Sequence, residues 1–297
     1  MFKVDQVVFG AIPFRDNQCR FDHKPLEQAV QQVVRKALKC DGVEEKLVDT
    51  RPDRIPTFVV ATKQFAPKGT ATIFRSYDCG IEYSADVCRI WEAARATSAA
   101  PTFFEPITIV HPKPPSSYVD GGLKHNNPSE IAIAEAEKIW PHVKRFVLVS
   151  IGTGKQGLGT IPKVVRTKSK VPVLGSLFKK AKSGLEALAA IGKLGVELST
   201  ASEEVHNRTY KTANGQDEYK RFPYFRFDVP NVDRIELQEW QKIEELGGIT
   251  ASYTESNEIS MEIGRCVGVL SHPPAVKELT SSTVHPHQFV FLTNSDG

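Results

Sequence analysis

At Tyr118-Val119-Asp120-Gly121-Gly122 an aspartate closes a short apolar run and is followed at once by two glycines. A carboxylate so placed is a candidate general base. The glycines let the backbone turn sharply with no Cβ in the way, which leaves the side chain facing a neighbour. In α/β proteins the carboxyl ends of strands are also where ligands collect. Asp-Gly is equally a common turn dipeptide, so the flanking residues have to decide. Other groups capable of chemistry are few. Gly152-Thr153-Gly154-Lys155-Gln156-Gly157 is a formal G-x-G-x-x-G after an apolar run, and it opens a nucleotide-binding alternative through Gly152, Gly154 and Gly157. Gly159 and Pro162 follow where a helix should open, and no Asp or Glu lies between Lys138 and Glu186 to hold a ribose. The bland reading of this stretch is a turn at the end of a strand. His125 reads as a surface or cap-proximal histidine, and Cys79 as a small core residue.

The elements that must position Asp120 are legible in the hydrophobic pattern. Leu26, Ala29, Val30, Val33, Val34, Ala37 and Leu38 recur at helical spacing, which predicts a helix over 25–38 that ends at Cys40-Asp41-Gly42. Thr57–Ala61 and Thr72–Arg75 read as two strands joined by a turn at Pro67-Lys68-Gly69. A helix from Ser84, its N-cap, to about Ser98 follows and is stopped by Pro101. Ser117–Val119 is a short strand leading into Asp120, and Asn127-Pro128-Ser129-Glu130 starts a helix that runs to about Trp140. Arg145–Ile151 is nearly all apolar, the pattern of a strand buried on both faces in a parallel sheet. Tyr224–Val229 alternates as a strand, and 235–246 and 259–270 read as helices. Helices alternating with strands make the chain an α/β protein.

At 297 residues, 40% apolar and 25% charged, the chain can bury a substantial core, and a net charge of +3 gives no general reason to bind nucleic acid. The basic residues are nonetheless unevenly placed. Lys163, Arg166, Lys168, Lys170, Lys179, Lys180 and Lys182 fall in one stretch without a single acid. That stretch reads as a flexible insertion over 163–182, either a solvated loop or a patch suited to an anionic lipid or membrane surface. Five cysteines without a C-x-x-C pair point to neither a zinc site nor a disulfide framework, and hence to a reducing compartment. No metal or cofactor is expected. The residues after Met1 form no secretion-type apolar segment, and no run of about 18 apolar residues occurs, so the expected location is the cytoplasm, with peripheral membrane association through the basic stretch. Residues 271–297, with Pro273, Pro274 and Pro286, read as a weakly structured tail behind a domain spanning 1–270.

Three stretches taken together are specific. Ile90 to Phe104 (I-W-E-A-A-R-A-T-S-A-A-P-T-F-F), Tyr118 to Pro128 (Y-V-D-G-G-L-K-H-N-N-P) and Val149 to Gly154 (V-S-I-G-T-G) resemble the later half of the patatin-like phospholipase family. Thr57–Thr62 and Phe74–Tyr77 resemble the strands before that helix. The resemblance covers roughly residues 1 to 155 well and 220 to 270 more loosely. It implies a FabD/lysophospholipase-like three-layer α/β/α fold with a mostly parallel sheet. It also implies a Ser-Asp dyad in which a serine in a G-x-S-x-G elbow attacks a lipid ester, the Asp of a D-G-G motif accepts its proton, and a Gly-rich loop stabilises the oxyanion. Asp120, Gly121 and Gly122 match that motif, with Asp120 as proton acceptor.

The other half of the dyad is not in the sequence. No serine has glycine two positions before and two after it, and no Gly-rich oxyanion loop precedes Asp120. The expectation is a domain truncated at its N-terminus, a partial lipid acyl hydrolase without a nucleophile and inactive as this chain alone. The alternative is a non-catalytic lipid-associated or scaffold protein. Neither oligomeric state nor lipid preference follows from the residues.

Overall fold

The computed structural model describes residues 21–64, 71–79, 88–101, 103–110, 114–143, 146–155, 201–215, 222–230, 232, 235, 239–271 and 289–293. The basic stretch 163–182 lies outside them, as do Ser84 and Gly157. Within the span 1–270 that the sequence marks as one domain, backbone contacts separate two compact units. One holds the described residues up to Asn126 and the other those from Asn127 onward.

In the first unit, helix α1 (Lys24–Leu38) has Pro25 in its first turn, where a missing N–H costs nothing, and ends at a left-handed Lys39 with φ 55°. Strands β1 (Phe58–Lys63) and β2 (Ala71–Arg75) pair antiparallel, as a connection this short allows, while the expected turn at Pro67-Lys68-Gly69 lies outside the described residues. Helix α2 (Ile90–Thr97) begins later than its periodicity suggests. Arg89 is still extended and bridges Lys46, and Leu47 donates its N–H to the Cys88 carbonyl at 2.8 Å. Only then does Glu92 accept the Arg89 N–H at 2.9 Å and close a capping box. Pairing with a distant segment outweighs helical propensity here. Strands β3 (Ile107–Ile109) and β4 (Ser116–Asp120) complete a sheet of order β2-β1-β4-β3, antiparallel throughout. Ala61, Cys88, Ala93, Ala96, Ile109 and Tyr118 form its core, with Phe74 and Tyr118 edge-to-face at 5.1 Å between ring centres. The alanines let α2 lie close on β1 and β4. Burial pushes the Cys88 thiol up to about 12, so it sits in this core as a small apolar residue.

The second unit contains α4 (Ser129–Ile139), β5 (Val147–Ile151), a helical stretch at residues 201–213 (α5), β6 (Tyr224–Phe227), a 3₁₀ turn (Trp240–Lys242) leading into α6 (Ile243–Glu255), α7 (Asn257–Ser271) and β7 (Phe289–Thr293). The remaining helix, α3 (Gly122–His125), is a single turn after β4 in the first unit. The sheet order is β6-β5-β7, all parallel, with β5 buried from Val147 to Ser150 as its apolar run predicts. Val147 and Val149 meet Phe225, Cys266, Val269 and Leu270, so α7 covers this face. Within the stretch 271–297 that reads as a weakly structured tail, F-V-F-L-T of β7 pairs in register with β5. The prolines and serines around it masked a short β-forming run. Among the described residues parallel pairing is confined to this unit, whereas the sequence implied a mostly parallel sheet. The first unit's hairpin and short strands pair antiparallel because no crossover helix separates β1 from β2. Among the described residues no helix is long and apolar enough to cross a membrane.

Candidate functional site

Asp120 is the last residue of β4 and only 5% exposed. Its position is set three ways. It lies opposite Ala61 of β1, its N–H donates to the Ala99 carbonyl at 3.0 Å, and its Oδ1 accepts the Gly122 N–H at 2.6 Å. The carboxylate is therefore oriented by its own turn. Gly121 has φ −67°, a conformation open to any residue, so the sharp-turn argument for a glycine does not apply at this position. What Gly121 supplies is room: a Cβ there would stand 2.1 Å from the Val60 carbonyl oxygen. Close approach of β1 to the strand end is the physical need for this glycine. His125 closes α3, with its N–H on the Gly121 carbonyl at 2.8 Å, and Cys79 is a half-buried free thiol.

The sequence did not single out a second polar assembly, which lies within the other unit. Along β6, Phe225 faces the apolar core while Tyr224, Arg226 and, just beyond, Asp228 point the other way. Arg226 Nη1 donates to Ser150 Oγ at 2.7 Å, and Nη2 donates to Ser202 Oγ at 3.0 Å and Asp228 Oδ2 at 2.7 Å. Ser129 Oγ donates to Asn127 Oδ1 at 2.6 Å and lies 3.2 Å from Ser150 Oγ. Asn127 also donates to the Ser202 carbonyl at 3.1 Å. Arg226 and Asp228 are 4% and 6% exposed, and Ser129 and Ser150 are fully buried. No substrate ester can reach hydroxyls so enclosed. The assembly holds α4, α5, β5 and β6 together and offers no nucleophile. Its sequence signal was a charged pair on alternate positions of an apolar strand, F-R-F-D, beside the lone serine in V-L-V-S-I.

The same aspartate explains two glycines of the formal dinucleotide fingerprint, Gly152 and Gly154. Gly154, at φ 119°, donates its N–H to Asp228 Oδ1 at 2.9 Å, and a Cβ on Gly152 would fall 2.1 Å from that oxygen. The turn is built around an internal carboxylate, which takes the backbone donor a phosphate would need. Residues 152–155 open no helix.

His206, on α5, faces Tyr224 with Nδ1 3.0 Å from its hydroxyl. Burial holds the imidazole below its ordinary 6.5, with Glu203 opposing this and Lys155 and Arg226 adding to it. Folded His206 thus binds a proton less readily than unfolded His206. Its contribution to stability is complete above pH 6.5 and falls as pH drops through 6.5 toward the lower folded value. His206→Asn is expected to flatten this part of the stability curve, read as urea midpoints at about pH 7.5 and 5.5. A pH response equal to that of the unaltered chain would refute it.

Comparison with known proteins accords with the site in the first unit. Residues 9–133, which include Asp120, match the family model for patatin-like phospholipase. Calcium-independent phospholipase A2-gamma of Homo sapiens is 25% identical over 268 residues, 86% of this chain and 29% of that protein. Phospholipase A I of Arabidopsis thaliana is 41% identical over 68 residues, 22% of this chain and 5% of its own length. Probable inactive patatin-like protein 9, also of Arabidopsis thaliana, is 29% identical over 158 residues, 50% and 38% of the two chains. An α/β chain with a buried strand-end aspartate followed by two glycines is thus similar, over its first part, to patatin-like phospholipases. The similarity to patatin-like phospholipases is carried by residues 9–133. It spans less than a third of the length of the human relative.

Proposed function

We propose that this chain carries the aspartate half of a patatin-like lipid acyl hydrolase site, with Asp120 as the proton acceptor of a Ser-Asp dyad acting on phospholipid or acylglycerol esters. The observation that carries the reading is the placement of Asp120: buried at a strand end, oriented by the Gly122 N–H, with Gly121 admitting β1 against it. A carboxylate held out of water and aimed by a backbone donor is suited to accept a proton from a hydroxyl brought beside it. The fold that suits this role is the family's three-layer α/β/α arrangement. The sequence contains no G-x-S-x-G serine, so this polypeptide by itself hydrolyses esters no faster than buffer. Similarity to a relative named as probably inactive is in keeping with that.

The expected result is release of fatty acid from phospholipid vesicles at the rate of a protein-free blank, for both the unaltered chain and Asp120→Asn. Hydrolysis above the blank that survives in Asp120→Asn would overturn the assignment of Asp120. Loss of a nucleophile costs several orders of magnitude in comparable hydrolases, so the assay has ample range.

The seven basic residues from Lys163 to Lys182 favour a second part of this reading, a cytoplasmic protein that docks on anionic lipid. Co-sedimentation should then rise with the anionic fraction of the vesicles and fall with salt.

A further inference from the structure

The end of α2 touches both strands that meet at Asp120. Thr97 lies in the last turn of α2 and is 7% exposed. Helical threonines ordinarily turn their hydroxyls to solvent or to the carbonyl four residues back in their own helix. Thr97 instead reaches out of the helix and donates Oγ1–H to the Val60 carbonyl of β1 at 2.7 Å, wholly buried. That carbonyl oxygen is the atom against which Gly121 packs. Two residues further on, the Ala99 carbonyl accepts the Asp120 N–H at 3.0 Å. Residues 97–99 therefore grip β1 through a side chain and β4 through the backbone, on either side of the Ala61–Asp120 pair.

We infer that Thr97 is a positioning residue for Asp120, acting through the Val60 carbonyl. The inference rests on the reading of Asp120 as a proton acceptor, since only then does its orientation matter to chemistry. A carbonyl fixed by a buried hydroxyl is a fixed wall for Gly121, and Gly121 is joined by one peptide bond to the carboxylate-bearing residue. Without the hydroxyl the wall loses one of the bonds that hold it, and the strand end that carries Asp120 gains freedom. Serine at this position would keep the donor; valine would keep the shape and remove it.

The test uses the full isotopically labelled chain with Thr97→Val, Thr97→Ser and Thr97→Ala, and two readouts at Asp120 by NMR: exchange of its amide proton and the ¹³C titration curve of its carboxyl. Thr97→Val is expected to speed Asp120 amide exchange about tenfold, the scale of one buried hydrogen bond, and to displace the carboxyl curve. Thr97→Ser should restore both, and exchange at Val149 in the other unit should stay unchanged. A Thr97→Val chain that melts earlier but leaves both Asp120 readouts at their original values would overturn the inference, because Thr97 would then be a packing residue only. If Thr97→Val does not fold, Thr97→Ser against Thr97→Ala decides on the same readouts. Neither readout involves turnover, so the outcome of the hydrolysis assay does not bear on this one.

Discussion

Asp228→Ala is expected to lower the stability of the second unit by about 3–5 kcal/mol, because it strands a buried guanidinium. Arg226 is 4% exposed, and Asp228 is the acid that pairs with it at 2.7 Å. Removing one partner of a buried pair leaves the other charge out of water and uncompensated, which costs more than the pair contributes. The Gly154 N–H loses its acceptor as well. Urea unfolding followed by circular dichroism reads the loss directly. The double change Arg226→Met with Asp228→Leu should recover most of it, since an apolar pair of similar volume avoids the desolvation penalty. A second coupling follows from the same contact. Gly152→Ala alone drives a methyl into the Asp228 carboxylate, 2.1 Å from Oδ1, whereas in the Asp228→Ala background that space is open. The two changes should therefore fall well short of additive. Additive losses, or a Gly152→Ala chain as stable as the unaltered one, would show that the turn is not built around Asp228.

Gly121→Ala is expected to cost about 3 kcal/mol and to disturb Asp120 more than any other residue in the first unit. The added Cβ would meet the Val60 carbonyl oxygen at 2.1 Å and its carbon at 2.6 Å, and both are backbone atoms of a strand paired on both sides. No rotamer relieves such a contact; either β4 parts from β1 at the Ala61–Asp120 pair or the turn into α3 re-forms. Thermal melting gives the stability, and amide exchange along β1 and β4 locates the damage. Because φ at Gly121 is ordinary, a glycine-specific backbone penalty contributes nothing, and the entire cost is steric. A Gly121→Ala chain with unaltered exchange at Ala61 and Asp120 would refute the close-approach account.

Much of this molecule is legible before any coordinates. The helix over α1, the β1–β2 hairpin, the strand into Asp120, the Asn127-Pro128 helix start and the buried strand β5 follow from period, punctuation and turn chemistry, because each is settled by residues adjacent in sequence. α2 and β7 are among the elements where the structure departs from the sequence reading because distant partners intervene. α2 starts at Ile90 because Cys88 and Arg89 are engaged by residues 46 and 47, and no window around Ser84 contains that information. β7 depends on β5 for its existence as a strand, and a five-residue run among prolines carries little signal of its own.

The candidate site divides in the same way. That Asp120 is the residue of interest, and that no elbow serine accompanies it, is decided by residue identity and spacing alone. The reasons for its glycine and for its orientation are not. Val60 and Gly121 are sixty-one positions apart, and only folding brings the carbonyl of one to where the other can bear no side chain. Arg226, Asp228, Ser150 and Ser202 likewise become one assembly only when two strands and a helix converge. Local chemistry determined which residues could act and which elements would carry them. Tertiary packing decided which of them meet, because contact across a sheet depends on register and closeness, and neither is written in the order of neighbouring residues.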